Sequence, residues 1–327
     1  MNLRSLFLVA GGVSAAGSLA ACDMCAVYNA PLAHGVVDQG FHLALAEQFT
    51  RFGTLQEDGK KVANPAHQRM DSSVSQVAAG VHFNDRFGVQ FSLPIIHRSF
   101  RRAEGGGIDE GTESGIGDAA FGLNYVLARR DSVNWTLAWE LRGGVKFPTG
   151  DSSRLREETE EETPVPGQIE SGIHGHDLAL GSGSWDAYVG SEVYARYRRW
   201  FITGDVQYAI RTEGDFNYQY ANDLTWGGGP GFYVIYGEAW TLALQARVSG
   251  EYKEKDEFDG AKAEDTAITS VFLGPHLPVV ARADWRGTGR GAAGVAGKFR
   301  VASGAGLAGV RGICVEVLRR QRMTNVR

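Results

Sequence analysis

The 327-residue sequence predicts an all-β protein: an antiparallel transmembrane β-barrel with about ten recognisable strands, and twelve in an intact form. Three observations predict it. Long stretches alternate with period two between an apolar face and a charged face, connections follow a rhythm of short and long, and the chain opens on a leader that reads as an export signal. Composition agrees: Gly is common at 44 residues, aromatics make up 10%, and Pro is scarce at 9. Gly relieves crowding where barrel strands bend, and aromatic residues collect at membrane interfaces. A formal net charge of -5 offers no basic face for nucleic acid, and 22% charged residues is normal for a folded chain.

The leader comes first. Arg4 supplies its positive end, Leu6-Phe7-Leu8-Val9-Ala10 and the Gly, Ala and Ser residues after it supply the apolar stretch, and Leu19-Ala20-Ala21 supplies the small-residue cleavage site. Residues 1–21 therefore read as a signal peptide. A lone membrane helix fits less well, because the stretch is short and diluted by Gly and Ser, and no later segment has a long uninterrupted apolar run. Residues 22–39 form an N-terminal periplasmic segment marked by Cys22 and Cys25. Leu19-Ala20-Ala21-Cys22 fits a lipobox, with Cys22 lipidated, whereas Cys22-Asp23-Met24-Cys25 fits a small disulfide loop in an oxidising compartment. Both readings stay open. Ala26 stands where a c-type haem site needs His, and a zinc site would need two more ligands nearby, so no cofactor is expected.

The barrel is expected over residues 40–277. In 134–147, Trp135, Leu137, Trp139, Leu141, Gly143, Val145 and Phe147 share one face, while Asn134, Thr136, Ala138, Glu140, Arg142, Gly144 and Lys146 share the other. Residues 200–211 and 240–249 repeat the pattern. Further runs cover 40–52, 74–83, 87–100, 118–127, 185–197, 224–236 and 267–276. Many exceed the five or six residues of a soluble sandwich strand and suit the roughly nine to eleven that a tilted strand needs to cross a bilayer. Short connections (84–85, 129–132, 198–199, 237–238) alternate with long ones (56–73, 102–113, 152–184, 212–220, 254–265), as periplasmic turns and outer loops do in outer-membrane barrels. Trp135, Trp185, Trp200 and Trp240 at strand ends fit an interfacial girdle. The charged faces fit a lumen, because Arg or Lys on the lipid face costs roughly 2–4 kcal/mol at mid-bilayer. Glu140, Arg142, Glu192, Arg196, Asp205, Arg211 and Arg247 are therefore the lumen-facing binding candidates.

The tail differs. Residues 278–327 hold ten Lys or Arg against two acids, and alternation collapses there. The segment reads as an atypical basic tail, translation in a wrong reading frame being favoured over a native extension. Closing strands belong at this place, since a barrel in lipid leaves no edge unpaired.

Three glycine-rich motifs stand in order: Gly115-Ile116-Gly117-Asp118, the run from Gly143-Gly144-Val145-Lys146 through Phe147-Pro148-Thr149-Gly150-Asp151, and Gly181-Ser182-Gly183-Ser184-Trp185-Asp186. Each reads as structural, Pro148 and Gly150 being suited to a turn. Together the set resembles the MetA-pathway of phenol degradation family of outer-membrane β-barrel proteins, over roughly residues 78–275. The resemblance implies a transport barrel for small solutes, with aromatic or other apolar compounds as cargo. The cysteine segment and the tail depart from it.

Other clusters are weaker. Glu157, Glu158, Glu160, Glu161 and Glu162 read first as a solvated loop face and second as a site for cations bridging lipopolysaccharide. His174, His176 and Asp177 are weak metal candidates. His97, His174, His176, Asp177 and Ser182 are the residue types of a barrel-embedded hydrolase, but nothing sets a nucleophile beside a base and an orienting group, so no enzyme is expected. The sequence thus predicts an outer-membrane channel or uptake protein. Its expected partners are outer-membrane lipid, lipopolysaccharide, the barrel-assembly machinery and a small-molecule solute. The alternative is a non-transporting scaffold whose cysteine segment docks a periplasmic, redox-type partner.

Overall fold

The computed structural model describes residues 40–282 and 309–318, apart from 54, 58–59, 161–170, 238–239, 264–265 and 277–278. The leader, Cys22, Cys25 and most of the basic tail lie outside the described residues. The strands are β1 (Gly40–Phe52), β2 (Gln56–Glu57), β3 (Lys60–Lys61), β4 (Arg69–His82), β5 (Phe87–Glu104), β6 (Gly107–Ile116), β7 (Ala120–Asp131), β8 (Trp135–Lys146), β9 (Asp186–Tyr197), β10 (Trp200–Ile210), β11 (Tyr218–Gln219), β12 (Asp223–Tyr236), β13 (Trp240–Lys253), β14 (Glu257–Phe258), β15 (Ala261–Lys262), β16 (Ile268–His276), β17 (Val279–Arg282) and β18 (Gly309–Leu318). All ten alternating runs become strands, several of them longer than the pattern alone suggests. β6 falls where a loop is expected, folding back on the outer half of β5 as a hairpin.

Neighbours in sequence pair antiparallel from β1 through β4, β5, β7, β8, β9, β10, β12 and β13 to β16. β17 continues β16 along the same edge of β13. β18 lies antiparallel to β1 and parallel to β17 over four residue pairs, Val279↔Ile313 to Arg282↔Glu316. Among the described residues, with β16 and β17 counted as one, eleven strands form the wall. Strict up-and-down alternation closes only with an even number, so one neighbouring pair must be parallel. That pair is the β17–β18 seam, and it lies in the part of the chain where alternation collapses.

The faces of the wall are inverted relative to a water-soluble protein. Along β8, Trp135, Leu137, Trp139, Leu141 and Val145 are exposed, while Thr136, Ala138 and Lys146 are buried. Phe91 and Ile95 on β5, Leu123 on β7, Ile202 and Val206 on β10, and Leu244 and Val248 on β13 extend this outward apolar surface round the sheet. A monomer rarely leaves so large an apolar surface to water. Trp135 and Trp200 at the short-turn end and Trp185 at the long-loop end are exposed, as an interfacial girdle requires; the side chain of Trp240 lies outside the described residues.

The belt has an upper edge. On β5 the outward positions run Phe87, Val89, Phe91, Leu93 and Ile95, then turn polar at His97, Ser99 and Arg101. On β4 Val81, Ala79 and Val77 give way to Ser75, Ser73 and Asp71, at the level where Ser75 pairs with Ile95 and Ser73 with His97. Glu47 of β1 accepts from the hydroxyls of Ser73 and Ser75, Asp71 faces Arg51 at 3.5 Å, and His97 Nδ1 lies 2.6 Å from Ser114 Oγ. Residues 87–95 match the length of a crossing strand, so the outer half of β5 stands above the belt.

Candidate functional site: the lumen and its outer mouth

The three glycine-rich motifs converge. Asp118 precedes β7, Lys146 ends β8, and Asp186 opens β9, which brings all three to the long-loop end of the wall. Lys146 Nζ donates to Asp118 at 2.8 Å, to Asp186 at 2.7 Å, to Ser184 Oγ at 3.1 Å and to Ser182 Oγ. Arg211 adds a second cation, 3.0 Å from Asp186 and 2.6 Å from Asp223. The surplus carboxylate oxygens take backbone donors. Asp118 accepts from the N–H groups of Gly150 (2.9 Å) and Ser182 (3.0 Å), and Asp186 accepts from that of Thr212 (3.0 Å). Gly183 holds the turn at φ +69, where a Cβ would stand 2.3 Å from Asp215 Cγ. The motifs therefore build a buried ionic hub that ties five strand ends to the loop 147–185.

Part of that loop folds into the mouth of the barrel. Ile173 and Leu178 pack with Phe52, Met70 and Phe100, and Leu180 packs with Val74 and Ile96 on the inner faces of β4 and β5. Arg98, buried on β5, donates to the carbonyl of Ala179 at 2.7 Å. Leu155 and Ala179 join Tyr218 and Tyr220 in a second cluster under the small sheet of β11, β14 and β15. Residues 173–180 thus form a lid seated on apolar contacts and a guanidinium.

The weak metal candidates lie in this lid. His174 precedes the short helix Gly175–Leu178, and Asp177 accepts from the His174 N–H at 3.0 Å. The His176 ring stacks between His174 (5.6 Å) and Tyr218 (5.8 Å), with Nδ1 2.9 Å from Glu158. Burial acts to lower the His176 pKa, but the carboxylates of Asp177 and Glu158 outweigh it and raise it to about 9. A protonated imidazole is a donor to carboxylates and has no lone pair for a metal. Among the described residues no group of three His, Cys, Asp or Glu side chains is arranged to hold a cation. Of the hydrolase-type residues, Ser182 is fully buried in the hub beside a lysine bridged to two carboxylates, and His97 is on the outer wall.

Below the hub lies the other charged array. Glu140, Glu192 and Asp205 occupy successive partner positions on β8, β9 and β10. Arg142 pairs with Glu192, and Arg247 of β13 contacts both oxygens of Asp205 at 2.7 and 3.0 Å. Arg247 reaches across the inner face of β12 because Gly227 leaves it room: a Cβ there would stand 2.3 Å from Nη2. Five of the seven lumen candidates therefore meet in this array. Arg211 sits instead in the hub. Arg196 lies at the short-turn end, donating to Thr136 at 2.8 Å and lying 5.3 Å from the Tyr236 ring. Below the array Tyr194, Phe201 and Ala243 form a buried cluster, with the Tyr194 and Tyr233 hydroxyls 2.7 Å apart.

Apart from His82 and, near the lid, Arg98 and Arg102, the inner faces of β4 and β5 carry uncharged residues. Ser72, Val74, Gln76 and Ala78 of β4 and Ser92, Pro94 and Ile96 of β5 face inward. The sequence candidates for the lumen left out Lys146, although it stands on the polar face of its run, and also Asp118, Asp186, Asp223, Gln207 and Gln76. The first three stood inside the quoted motifs, and their place at strand ends was the available signal.

No protein-family model matches the chain, and no curated protein matches it. The likeness to the MetA-pathway family therefore rests on the three motifs. Among solved structures, the COG4313 outer membrane channel from Pseudomonas putida F1 is similar over 73% of this chain and 81% of that one, at 17% identity and a TM-score of 0.48. The CymD monoaromatic hydrocarbon channel is similar over 73% and 90%, at 10% identity and 0.30. A FadL homologue of Pseudomonas aeruginosa is similar over 73% and 78%, at 11% identity and 0.28. At these scores the likenesses add nothing to the argument from strands and faces.

Proposed function

We propose that this chain is an outer-membrane channel or uptake protein for small solutes, with its long loops and lid facing outward. One observation carries the reading: the wall turns a continuous apolar belt outward and places ionised side chains inward, the reverse of a soluble sheet. Purified protein in planar bilayers should give discrete conductance steps, larger once the lid is loosened. A folded, bilayer-inserted protein with no ion or solute permeability, lid intact or loosened, would overturn it and bring forward the scaffold reading built on Cys22 and Cys25.

A second reading concerns cargo. The resemblance implies aromatic or apolar compounds, and the Tyr194, Phe201 and Tyr233 cluster at the short-turn end supports it. The ionic array above that cluster favours polar solutes instead. Comparing the entry of a small aromatic hydrocarbon and of a small ammonium compound into protein-loaded liposomes separates the two.

A further inference from the structure

We infer that the carboxylate row on β8, β9 and β10 makes the lumen select small cations, the solute meeting Glu140, Glu192 and Asp205 beside the side-chain amide of Gln207. The inference rests on the channel reading and names its substrate class. The row holds three carboxylates and two guanidiniums. Arg142 is committed to Glu192 and Arg247 to Asp205. Glu140 receives no hydrogen bond from any described residue, although its row partner is Glu192. The array thus holds one carboxylate more than it has guanidiniums, inside a wall whose low dielectric strengthens charge.

Gln207 supplies an independent observation. It is 3% exposed, and both its amide oxygen and its amide nitrogen lack a hydrogen-bond partner. A buried amide left unsatisfied is costly unless something meets it. Its cross-strand partners are Gly190, against whose missing side chain Arg142 Cγ lies, and Thr225, whose buried hydroxyl is also unpartnered. Carboxylates beside neutral donors and acceptors fit an ammonium or hydrated alkali cation, which needs oxygen ligands and charge neutralisation together. Nearby cations are engaged elsewhere: Lys146 and Arg211 belong to the three-aspartate hub, Arg98 holds the lid, and Arg196 turns to Thr136 and the carbonyl of Arg198.

The test is the reversal potential of the full chain in a planar bilayer under a KCl gradient. The wild type should reverse at the sign set by potassium. Glu140→Gln, which removes charge without removing a hydrogen bond, should move the potential toward zero, and Glu140→Asp should keep it. The triple variant E140Q/E192Q/D205N leaves Arg142 and Arg247 uncompensated and should carry it to the chloride side. Glu110→Gln, on the outward face of β6, should change nothing. A conducting wild type that reverses at zero or on the chloride side, or one unmoved by Glu140→Gln, overturns the inference while the channel reading stands. Absence of any conductance, with the lid loosened, overturns both.

Discussion

The hub at the outer mouth and the row in mid-lumen hold the same charges, three carboxylates against two cations, and use them differently. In the hub, backbone N–H groups of Gly150, Ser182 and Thr212 and two serine hydroxyls donate to Asp118 and Asp186 beside the two cations, and these residues are buried. In the row, Glu140 receives no hydrogen bond from any described residue, and the Gln207 amide has no partner among them. A charge cluster tied to backbone donors holds strand ends together; one without such donors on the same wall is free to meet a solute. What distinguishes structure from function here is the supply of backbone and hydroxyl donors round the carboxylates, and charge count alone does not.

The largest expected effect tests the hub. Lys146→Met leaves Asp118 and Asp186 buried with one cation fewer, which should cost about 3–5 kcal/mol. The urea midpoint of vesicle-inserted protein should fall, with unfolded protein running as such on gels without heating. Glu140→Gln in the row should leave that midpoint unchanged. Equal losses for the two would erase the distinction.

The next effect concerns the outer belt. Leu141→Arg, one residue along β8 from Glu140, puts a guanidinium into lipid and should destabilise by ~2–4 kcal/mol. Folding into vesicles of short-chain lipid, followed by urea titration, measures it. A neutral outcome would mean that this face does not meet hydrocarbon.

The lid should respond more gently. Leu178→Asp or Leu180→Asp removes apolar contacts to Met70, Phe100, Val74 and Ile96 and should raise open-channel conductance while leaving the wall intact. The smallest effect is on pH. The His176 pKa is about 9 in the folded chain against an ordinary 6.5, so its contribution is fully present below about pH 6.5 and is lost as pH rises through 9. Proteolytic nicking of the loop should therefore increase between pH 6.5 and 9.5 in the wild type, and His176→Asn should flatten that rise.

Much of the wall was legible because period-two alternation is local: a strand such as β8 declares both faces in twelve residues. That Glu140, Arg142, Glu192, Asp205 and Arg247 share one face of the wall is consistent with the same period. What was not legible depends on contacts far apart in sequence. Lys146 meets Ser182 and Asp186 across the loop 147–185, and β6 pairs with β5 through a register that its polar, glycine-containing sequence does not announce. His176 stood out as a ligand type, yet Glu158 and Tyr218 decide its role, and only folding brings them beside it. At the tail, loss of alternation and the parallel β17–β18 seam coincide, so the sequence located the irregular join without giving its geometry.

The central claim, that one face of this wall meets lipid and the other a lumen, is tested most directly by spin labels along β8. Single cysteines at positions 136 to 142, in a background with Cys22, Cys25 and Cys314 replaced by Ser, would be labelled and the protein inserted in bilayers. The account predicts strong relaxation by oxygen at 137, 139 and 141 and little at 136, 138, 140 and 142. Equal access at both sets, or stronger relaxation by a water-soluble nickel chelate at 137, 139 and 141, would contradict it.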